Sequence, residues 1–400
     1  MNFDAFEFHP GISAAVADSG FSIPTPIQMQ AIPKIMQGHD LIGLAQTGTG
    51  KTAAYALPLL NRLVKIKKTH RKTHALIIAP TRELAEQIHQ DFKRLGSNTA
   101  ARSLTLYGGV RLIPQIRELK KGADIIIACP GRLIDHIQRG NVDFSSLDAL
   151  VVDEADQMLD MGFIPDIRRI LKHIPRHRQT LMFSATMQPE IRRLANEMLR
   201  QPVTVQIGHP APADTVSHTH FPVPQNLKTS LLLRILGNTQ FGSMLIFTRT
   251  KHRARRLSEI LLRAGYDSTS LQGNLSQGRR QAALSGFRTG KFRILVATDI
   301  AARGIDVSRV SHVINYDIPA TAKAYIHRIG RTGRAERRGM AFNLITDEDK
   351  VIMRSIDRIL GAVVERRIFS DFDYGAAPPS KLGKASHGAR PMKVIRRALQ

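Results

Sequence analysis

Residues 41–52 are Leu41-Ile42-Gly43-Leu44-Ala45-Gln46-Thr47-Gly48-Thr49-Gly50-Lys51-Thr52, in which a short apolar run leads into a glycine-rich turn that opens a helical pattern. Glycines let the backbone wrap around phosphate oxygens, and the amides at a helix N-terminus add positive potential. In this arrangement Lys51 reaches the outer phosphates and the Thr52 hydroxyl is placed to bind Mg²⁺. The stretch therefore predicts a nucleotide site over residues 45–52, although Ala45 stands where the general pattern has its first glycine.

A pair of carboxylates follows another apolar run. Asp153 and Glu154 come directly after Leu150-Val151-Val152. Asp153 can hold Mg²⁺ through water molecules, and Glu154 can orient or deprotonate an attacking water. An ordinary acidic helix N-terminus is the alternative, because carboxylates stabilise that position. The buried strand that precedes the pair favours the functional interpretation.

Short apolar runs alternate with helical patterns in both halves of the chain, which is typical of parallel sheets covered on both faces. The runs are 41–44, 75–78, 125–128, 150–152, 180–183, 244–247, 293–296 and 312–315. The Gly- and Pro-rich segment 207–214 predicts a linker. We therefore predict an α/β protein with domains at 1–206 and 215–370, followed by a flexible basic tail at 371–400.

The charge balance indicates a polyanionic partner. The chain has 58 Lys and Arg residues against 33 Asp and Glu, a formal net charge of +25. Such a field attracts nucleic acid, because neutralised phosphates release counterions. A basic protein without that function is the alternative, and charge alone does not separate RNA from DNA.

Composition argues against several other classes. No apolar run approaches the roughly 20 residues that span a bilayer, and the first residues lack the features of a signal peptide. Cys129 is the only cysteine, so neither an intramolecular disulfide nor a cysteine-rich zinc site can form. We expect a cytoplasmic protein with no membrane partner.

Motifs along most of the chain resemble those of the DEAD-box RNA helicases, whose name is spelled by Asp153-Glu154-Ala155-Asp156. Further matches are Gly20-Phe21 with Pro24-Thr25-Pro26-Ile27-Gln28 (the Q motif, within 1–28), Pro80-Thr81-Arg82-Glu83-Leu84-Ala85, Gly108-Gly109, Pro130-Gly131-Arg132, Ser184-Ala185-Thr186, Phe247-Thr248-Arg249-Thr250, Gln277-Gly278-Arg279-Arg280, Ala297-Thr298-Asp299, Arg303-Gly304-Ile305-Asp306 and His327-Arg328-Ile329-Gly330-Arg331-Thr332-Gly333-Arg334. The resemblance covers residues 3–360 and implies two tandem RecA-like domains of an ATP-hydrolysing RNA helicase. Residues 158–163 most resemble the bacterial RhlE-like branch.

The resemblance also implies which residues bind and hydrolyse ATP. Gln28 is expected to pair with adenine, because its amide complements the N6 and N7 edge. Phe3 is expected to stack on the base, with an ordinary anchor of an amphipathic helix as the alternative. The remaining ATP contacts are expected at 45–52, Gly304 and Asp306, and the catalytic groups are Lys51, Asp153, Glu154, His327, Arg331 and Arg334.

An RNA site across both domains is implied in the same way. Its expected residues are Thr81, Arg82, Gly108, Gly109, Gly131 and Arg132 in the first domain and Arg249, Arg280 and Thr298 in the second. Contacts to the RNA backbone carry little base information, so binding is expected to be largely independent of sequence. Coupling between hydrolysis and RNA is expected to involve Asp156, Ser184, Thr186 and His327.

These expectations form one mechanism with named rivals. ATP and single-stranded RNA each bridge the domains, so each stabilises binding of the other. Closure then separates a few base pairs locally, and hydrolysis reopens the cleft. The rivals are an ATP-gated RNA clamp with little unwinding, a DNA-directed motor of the same superfamily, and a non-enzymatic RNA-binding protein. We expect a monomer, with ribosomal or RNA-decay proteins as possible partners.

Three positions depart from the family pattern. Cys129 stands where a threonine usually precedes Pro-Gly-Arg and offers a hydroxyl to an RNA phosphate, so weaker RNA affinity is expected. Gln272 and Asn274 stand where the family often has His and Asp, and the sequence does not explain these two changes.

Overall fold

Two parallel β-sheets, one in each half of the chain, organise the protein. The computed structural model describes residues 2–46, 48–66, 72–208, 216–302, 310–333, 339–361 and 364–375. Thr47, Gly304, Asp306 and Arg334 lie outside the described residues, as do most of the predicted linker and tail. In the described part of the chain, no helix combines the length and the apolar character needed to cross a membrane.

The first sheet follows the order β3-β4-β2-β5-β6-β1-β7, with every described strand pair parallel. Its strands are β1 Leu41–Leu44, β2 Ala75–Ile78, β3 Ser103–Leu106, β4 Ile125–Ala128, β5 Ala149–Val152, β6 Gln179–Ser184 and β7 Val203–Gln206. Its helices are α1 Pro10–Asp18, α2 Pro26–Met36, α3 Lys51–Leu63, α4 Arg82–Leu95, α5 Leu112–Lys120, α6 Pro130–Gln138, α7 Ala155–Asp160, α8 Ile164–Leu171 and α9 Pro189–Met198, after a 3-10 turn at Phe3–Phe6.

The second sheet follows the order β10-β11-β9-β12-β13-β8-β14 and is also parallel throughout its described pairs. Its strands are β8 Val216–Pro222, β9 Met244–Phe247, β10 Ser268–Leu271, β11 Ile294–Ala297, β12 His312–Asn315, β13 Gly339–Ile345 and β14 Glu365–Arg366. Its helices are α10 Lys228–Asn238, α11 Lys251–Arg263, α12 Gln277–Arg288, α13 Asp299–Ala302, α14 Ala322–Ile329 and α15 Lys350–Leu360, with 3-10 turns at Gln225–Leu227 and Asp347–Asp349.

Both sheets have the same topology. Replacing each strand number in the first order by that number plus seven gives the second order. The central strands β2, β4, β5, β9 and β11 are buried along their whole length, as expected for strands that helices cover on both faces. Ligand-binding loops therefore gather at the carboxyl edge of each sheet, and the sites described below lie there.

The predicted α/β architecture is confirmed, and each predicted apolar run forms a strand, with the run at 293–296 observed at Ile294–Ala297. The strands that sequence reasoning missed include β3 and β10, which are only partly buried and therefore lack a continuous apolar run. Phe372 and Tyr374 pack against the core of the second domain. Contacts with this core thus extend four residues past the boundary predicted at 370.

Candidate nucleotide cleft and nucleic-acid interface

The predicted phosphate loop connects β1 to the N-terminus of α3. Gly48 and Gly50 have φ values of +86° and +89°, a region that side chains with a Cβ rarely adopt. Helix α3 begins at Lys51, so its first amides point toward the loop. The Lys51 ammonium is buried and donates a hydrogen bond of 2.9 Å to the Ala45 carbonyl. The local geometry is that of an anion-binding turn.

Gln28 connects α2 to this loop. Its side-chain carbonyl accepts a hydrogen bond from the Thr25 amide at 2.9 Å, which caps α2. Its amide nitrogen donates to the Gly50 carbonyl at 3.2 Å. A Cβ on Gly50 would lie 2.5 Å from that nitrogen, so only glycine fits. One amide hydrogen and one carbonyl lone pair of Gln28 remain for a ligand.

The cleft beside the loop has a volume of about 400 Å³, and its walls include Phe21, Ile23 and Gln28. Phe3 is not among its lining residues. The Phe3 side chain is buried, and its ring stacks on that of Phe21 with centroids 5.9 Å apart. Phe21 thus lies at the wall of the cleft with Phe3 stacked on it, and the expected base contact of Phe3 stays a prediction. The Arg94 guanidinium lies 5.1 Å from the Phe21 ring centroid.

The carboxylates Asp153 and Glu154 follow β5 and face the same cleft. Asp153 accepts hydrogen bonds from the Tyr55 hydroxyl and the Glu154 amide, both at 2.9 Å. Burial raises the pKa of Asp153, opposed by the nearby Lys51 charge. Burial likewise raises the pKa of Glu154 to about 7, and Lys51 again opposes the change.

Glu154 also has an unusual backbone conformation. Its φ is +54°, in the left-handed region that non-glycine residues seldom occupy. Its buried Oε2 has no hydrogen-bond partner among the described residues. A strained residue with an unsatisfied carboxylate and a pKa near neutrality is characteristic of a site that handles protons.

The residues present fit a magnesium ion that is held mainly by phosphate and water. Among the described residues, no cluster of three His, Cys, Asp or Glu side chains could form a cage for a metal. Thr52 and Asp153 line the same cleft and offer oxygen ligands. Mg²⁺ commonly takes only one or two protein oxygens and completes its shell with water and substrate phosphates.

Asp156 connects α7 to the segment after β6 through hydrogen bonds. Its Oδ2 accepts from the amide and hydroxyl of Thr186 at 3.2 and 3.3 Å, and Ser184 donates to the Thr186 carbonyl at 2.8 Å. His327 of the second domain lines a cleft with Asp156, and the Asp156 charge partly offsets the lowering of the His327 pKa by burial. The predicted coupling residues are thus brought together.

Direct contacts join the two domains beside this cleft. The Lys323 ammonium donates to the Asp160 carboxylate at 2.7 Å, and Nδ1 of His327 lies 4.0 Å from the same carboxylate. Arg331 is 7% exposed and lines the cleft together with Lys51 and Glu154. Residues of α14 and its C-terminal loop therefore meet the phosphate loop of the first domain.

Arg328, which lies between His327 and Arg331 in the sequence, has a different environment. Its guanidinium forms a bidentate pair with Asp299 at 2.6 and 2.8 Å and donates to the side chain of Asn315 at 2.8 Å. It also lies over the Phe247 ring, 4.9 Å from the centroid. Arg328 braces the second domain internally, a role that its position in a motif did not reveal.

The expected RNA residues of the first domain lie at the carboxyl ends of β2, β3 and β4, which are adjacent in the sheet. Thr81 caps α4 by accepting from the Leu84 amide at 3.2 Å, and Gly131 lies at the start of α6 and is exposed. Gly109 has a φ of +76° and packs under the guanidinium of Arg82. The helix N-termini and the turn provide backbone amides for phosphate oxygens.

Arg132 and Cys129 differ from the other expected contacts. Arg132 donates to Gln115 at 3.0 Å and to the Val110 carbonyl at 3.2 Å, so it braces the turn that carries Gly108 and Gly109. Arg132 therefore supports this turn, and its expected contact with RNA stays a prediction. Burial raises the pKa of the Cys129 thiol to about 12, which keeps it neutral.

In the second domain the expected RNA residues Arg249, Arg280 and Thr298 follow β9, β10 and β11, respectively. Arg249 is 64% exposed in its side chain, and Thr298 is half-buried. Arg280 is buried and forms an ion pair of 2.7 Å with Glu83 of the first domain. Its guanidinium is therefore engaged between the domains, and its expected role as an RNA contact stays a prediction.

Gln272 and Asn274, the two departures that the sequence does not explain, lie in a loop that contacts Arg280. The Gln272 side chain accepts from the Asn274 amide at 2.6 Å, and the Gln272 carbonyl accepts from Arg280 at 3.3 Å. Asn274 in turn accepts from the exposed Lys251 at 3.0 Å. Gln272 therefore orders the loop under the ion pair, whereas Asn274 gives Lys251 a neutral partner.

Comparisons with known proteins agree with this geometry. Residues 25–194 match the DEAD/DEAH box helicase model, and residues 227–336 match the helicase conserved C-terminal domain. An rRNA helicase, RRP3 of Saccharomyces cerevisiae, is 44% identical over 90% of this chain and 72% of its own length. This chain belongs to the DEAD-box ATP-dependent RNA helicases. The DeaD helicase of Buchnera aphidicola is 42% identical over 90% of this chain.

A solved structure also matches both domains together. Dbp5 of S. cerevisiae bound to RNA and ADP BeF3 superposes with a TM-score of 0.81 at 29% identity, covering 92% of this chain and 95% of Dbp5. The two sheets are thus RecA-like domains in tandem, as predicted. This DEAD-box chain spans 60% of the length of the Buchnera DeaD relative and 63% of its Mycobacterium tuberculosis counterpart.

Proposed function

We propose that this chain is an RNA-stimulated ATPase that closes its two domains on RNA and separates short duplexes locally. The observation that carries the proposal is the meeting of Arg331 of the second domain with Lys51 and Glu154 of the first in one cleft. Such an arrangement links the chemistry to domain closure, because the second domain supplies a group that stabilises transferring phosphate.

Each side chain of the cleft has a proposed task. Gln28 reads the adenine edge with its remaining donor and acceptor, and Lys51 neutralises the outer phosphates. Glu154 takes the proton of the attacking water, supported by its pKa of about 7 and its unsatisfied oxygen. Arg331 stabilises the charge that develops on the γ-phosphate. Gly304, Asp306 and Arg334, which lie outside the described residues, keep their proposed ribose and phosphate roles.

Thr52 and Asp153 are the proposed magnesium ligands, with Asp153 acting through water. When bound, the ion supplies electrostatic neutralisation of the phosphates. The Tyr55 hydroxyl holds the Asp153 carboxylate toward the cleft at 2.9 Å. This second contact orients the ligand, which is the usual contribution of groups behind a metal site.

RNA is proposed to lie across the carboxyl edges of both sheets. Thr81, Gly109 and Gly131 offer backbone amides and a hydroxyl, while Arg82, Arg249 and Thr298 offer side chains. These contacts address the sugar–phosphate backbone, so binding is proposed to be independent of sequence. Asp156, Thr186 and His327 connect this surface to the phosphate cleft.

The finer identity is also a proposal. Residues 158–163 support the RhlE-like branch, and the rRNA specified in the name of RRP3 suggests structured ribosomal RNA as a substrate class. Ribosomal or RNA-decay proteins are proposed as partners and a monomer as the working form. An RNA clamp with little unwinding uses the same residues and remains the second candidate.

The deciding experiment is steady-state ATPase activity without nucleic acid, with single-stranded RNA and with the matching DNA. The Glu154→Gln variant is the control, because it removes the proposed base at nearly constant shape. Stimulation by RNA alone that disappears in the variant supports the proposal, whereas equal stimulation by DNA contradicts RNA specificity. A duplex-release assay then separates a helicase, which releases short duplexes, from a clamp, which does not.

A further inference from the structure

A row of polar side chains crosses the interior of the second sheet. Asn315 of β12 pairs in register with Asn343 of β13, which pairs with His220 of β8. The two asparagines are fully buried and His220 is 2% exposed. Central strands of a covered parallel sheet are ordinarily apolar, and buried polar groups are costly unless they are hydrogen-bonded.

Hydrogen bonds run through this row in one direction. Arg328 donates to the Asn315 carbonyl oxygen at 2.8 Å, and the Asn315 amide donates to the Asn343 oxygen at 2.8 Å. The Asn343 amide then lies 3.2 Å from Nδ1 of His220, whose Nε2 lies 2.9 Å from the Asp357 carboxylate. Each side chain from Asn315 to His220 thus accepts from one neighbour and donates to the next, and the row ends at the Asp357 carboxylate.

Asn343 makes one further contact, to the helix that carries the cleft residues. Its amide donates to the Tyr325 hydroxyl at 3.1 Å, and that hydroxyl also contacts Nδ1 of His218 at 2.9 Å. Tyr325 and Arg328 are three residues apart on α14, so they share one face of the helix. The row therefore holds α14 at two points on its sheet-facing side.

The residues of α14 and its C-terminal loop that line the cleft include His327 and Arg331. We propose that Asn343 is a positioning residue for the ATPase reaction, because it fixes the rotation of α14 and hence the reach of Arg331 toward the first domain. This inference rests on the proposed function. A displacement of about 1 Å in such a group can cost about a hundredfold in rate, so a buried amide far from the phosphates can control turnover.

The test compares Asn343→Ala with Leu344→Ala. Leu344 is the next residue of β13, is fully buried and lies on the opposite face of the strand. Both variants loosen the same strand, but only the first releases α14. We expect Asn343→Ala to lower the RNA-stimulated kcat about tenfold. The KM for ATP should change little, because Gln28 and the phosphate loop, which are proposed to bind ATP, lie in the first domain. Leu344→Ala should retain its kcat at temperatures where it is folded.

Two further measurements keep the test decisive. Tyr325→Phe removes only one hydroxyl, and it should lower kcat less in the Asn343→Ala background than in the wild-type chain, because the contact between these two side chains is already lost there. Amide hydrogen exchange of α14 should accelerate in Asn343→Ala relative to Leu344→Ala, a readout independent of activity. Equal exchange in the two variants, or an equal loss of kcat, overturns the positioning role. A wild-type chain without RNA-stimulated ATPase contradicts the proposed function instead, and the exchange comparison still decides whether Asn343 fixes α14.

Discussion

Arg280 and Glu83 lie 197 residues apart in the chain and form an ion pair of 2.7 Å that joins the two domains. Both side chains are more than nine-tenths buried. The pair joins α12 of the second domain to α4 of the first, whose N-terminus belongs to the proposed RNA surface. Domain closure and the shape of that surface are therefore connected through one contact.

Loss of this pair is expected to weaken closure on RNA. Truncating one partner of a buried charged pair at an interface costs about 2–5 kcal/mol, and 1.4 kcal/mol is about a factor of ten. Arg280→Ala should therefore raise the RNA concentration for half-maximal ATPase activity at least about tenfold. The exposed neighbour Arg279 provides the control, since Arg279→Ala should have little effect. Recovery in a Glu83→Arg, Arg280→Glu double variant would support the pairing, and an unchanged RNA requirement in Arg280→Ala would contradict it.

The pH dependence of hydrolysis should follow Glu154. A general base acts only when deprotonated, and the pKa of this carboxyl is about 7 in the free protein. The kcat/KM for ATP should therefore rise as the pH is raised through about 7 and level off above it. Burial lowers the pKa of His327, which moves the titration of that residue toward more acidic pH and away from that of Glu154. A flat profile between pH values of about 6 and 8 would exclude Glu154 as the titrating base.

Substitutions at Gln28 should separate base reading from helix capping. Gln28→Ala removes the contacts to Thr25 and Gly50 together with the adenine contact, so the preference for ATP over GTP should disappear. Gln28→Glu retains an acceptor for the Thr25 amide but loses the donor to the Gly50 carbonyl. It should therefore keep α2 capped, a contribution of about 1 kcal/mol, and still bind ATP poorly. An unchanged preference for ATP over GTP in Gln28→Ala would refute the role of Gln28 in adenine recognition. Thermal unfolding of both variants measures the stability that capping of α2 contributes.

The two stacked phenylalanines should have different functions. Phe21 lines the nucleotide cleft and Phe3 lies behind it. Phe21→Ala should raise the KM for ATP at least about fivefold, because stacking of a base on an aromatic ring is worth about 1–3 kcal/mol. Phe3→Ala should mainly reduce the free energy of unfolding, toward the about 3–5 kcal/mol typical of a buried phenylalanine. Nucleotide titration and denaturant unfolding of both variants distinguish these roles. If Phe3→Ala alone impairs ATP binding, Phe3 and not Phe21 contacts the base.

The sequence predicts best the features that depend on neighbouring residues. The β-branched runs identify the central strands because burial on both faces demands them, and the glycines at 48 and 50 identify a loop that needs positive φ. Contacts across long separations were not predictable. The motif around Arg280 is the same whether its side chain contacts RNA or Glu83. Only the arrangement of the two domains shows which partner it has. Asn343 carries no local signal at all, because an isolated asparagine in a strand gives no indication of the helix it holds.

The internal contacts of Arg132 and Arg280 also bear on how the protein responds to ionic strength. Each phosphate neutralised on a single strand contributes about 0.7 to the slope of log K against log salt concentration. If both arginines remain engaged within the protein, that slope is shallower by about 1.4 than a count of motif arginines suggests. The formal charge of +25 would then attract RNA from a distance, while the bound complex tolerates salt better than its composition implies.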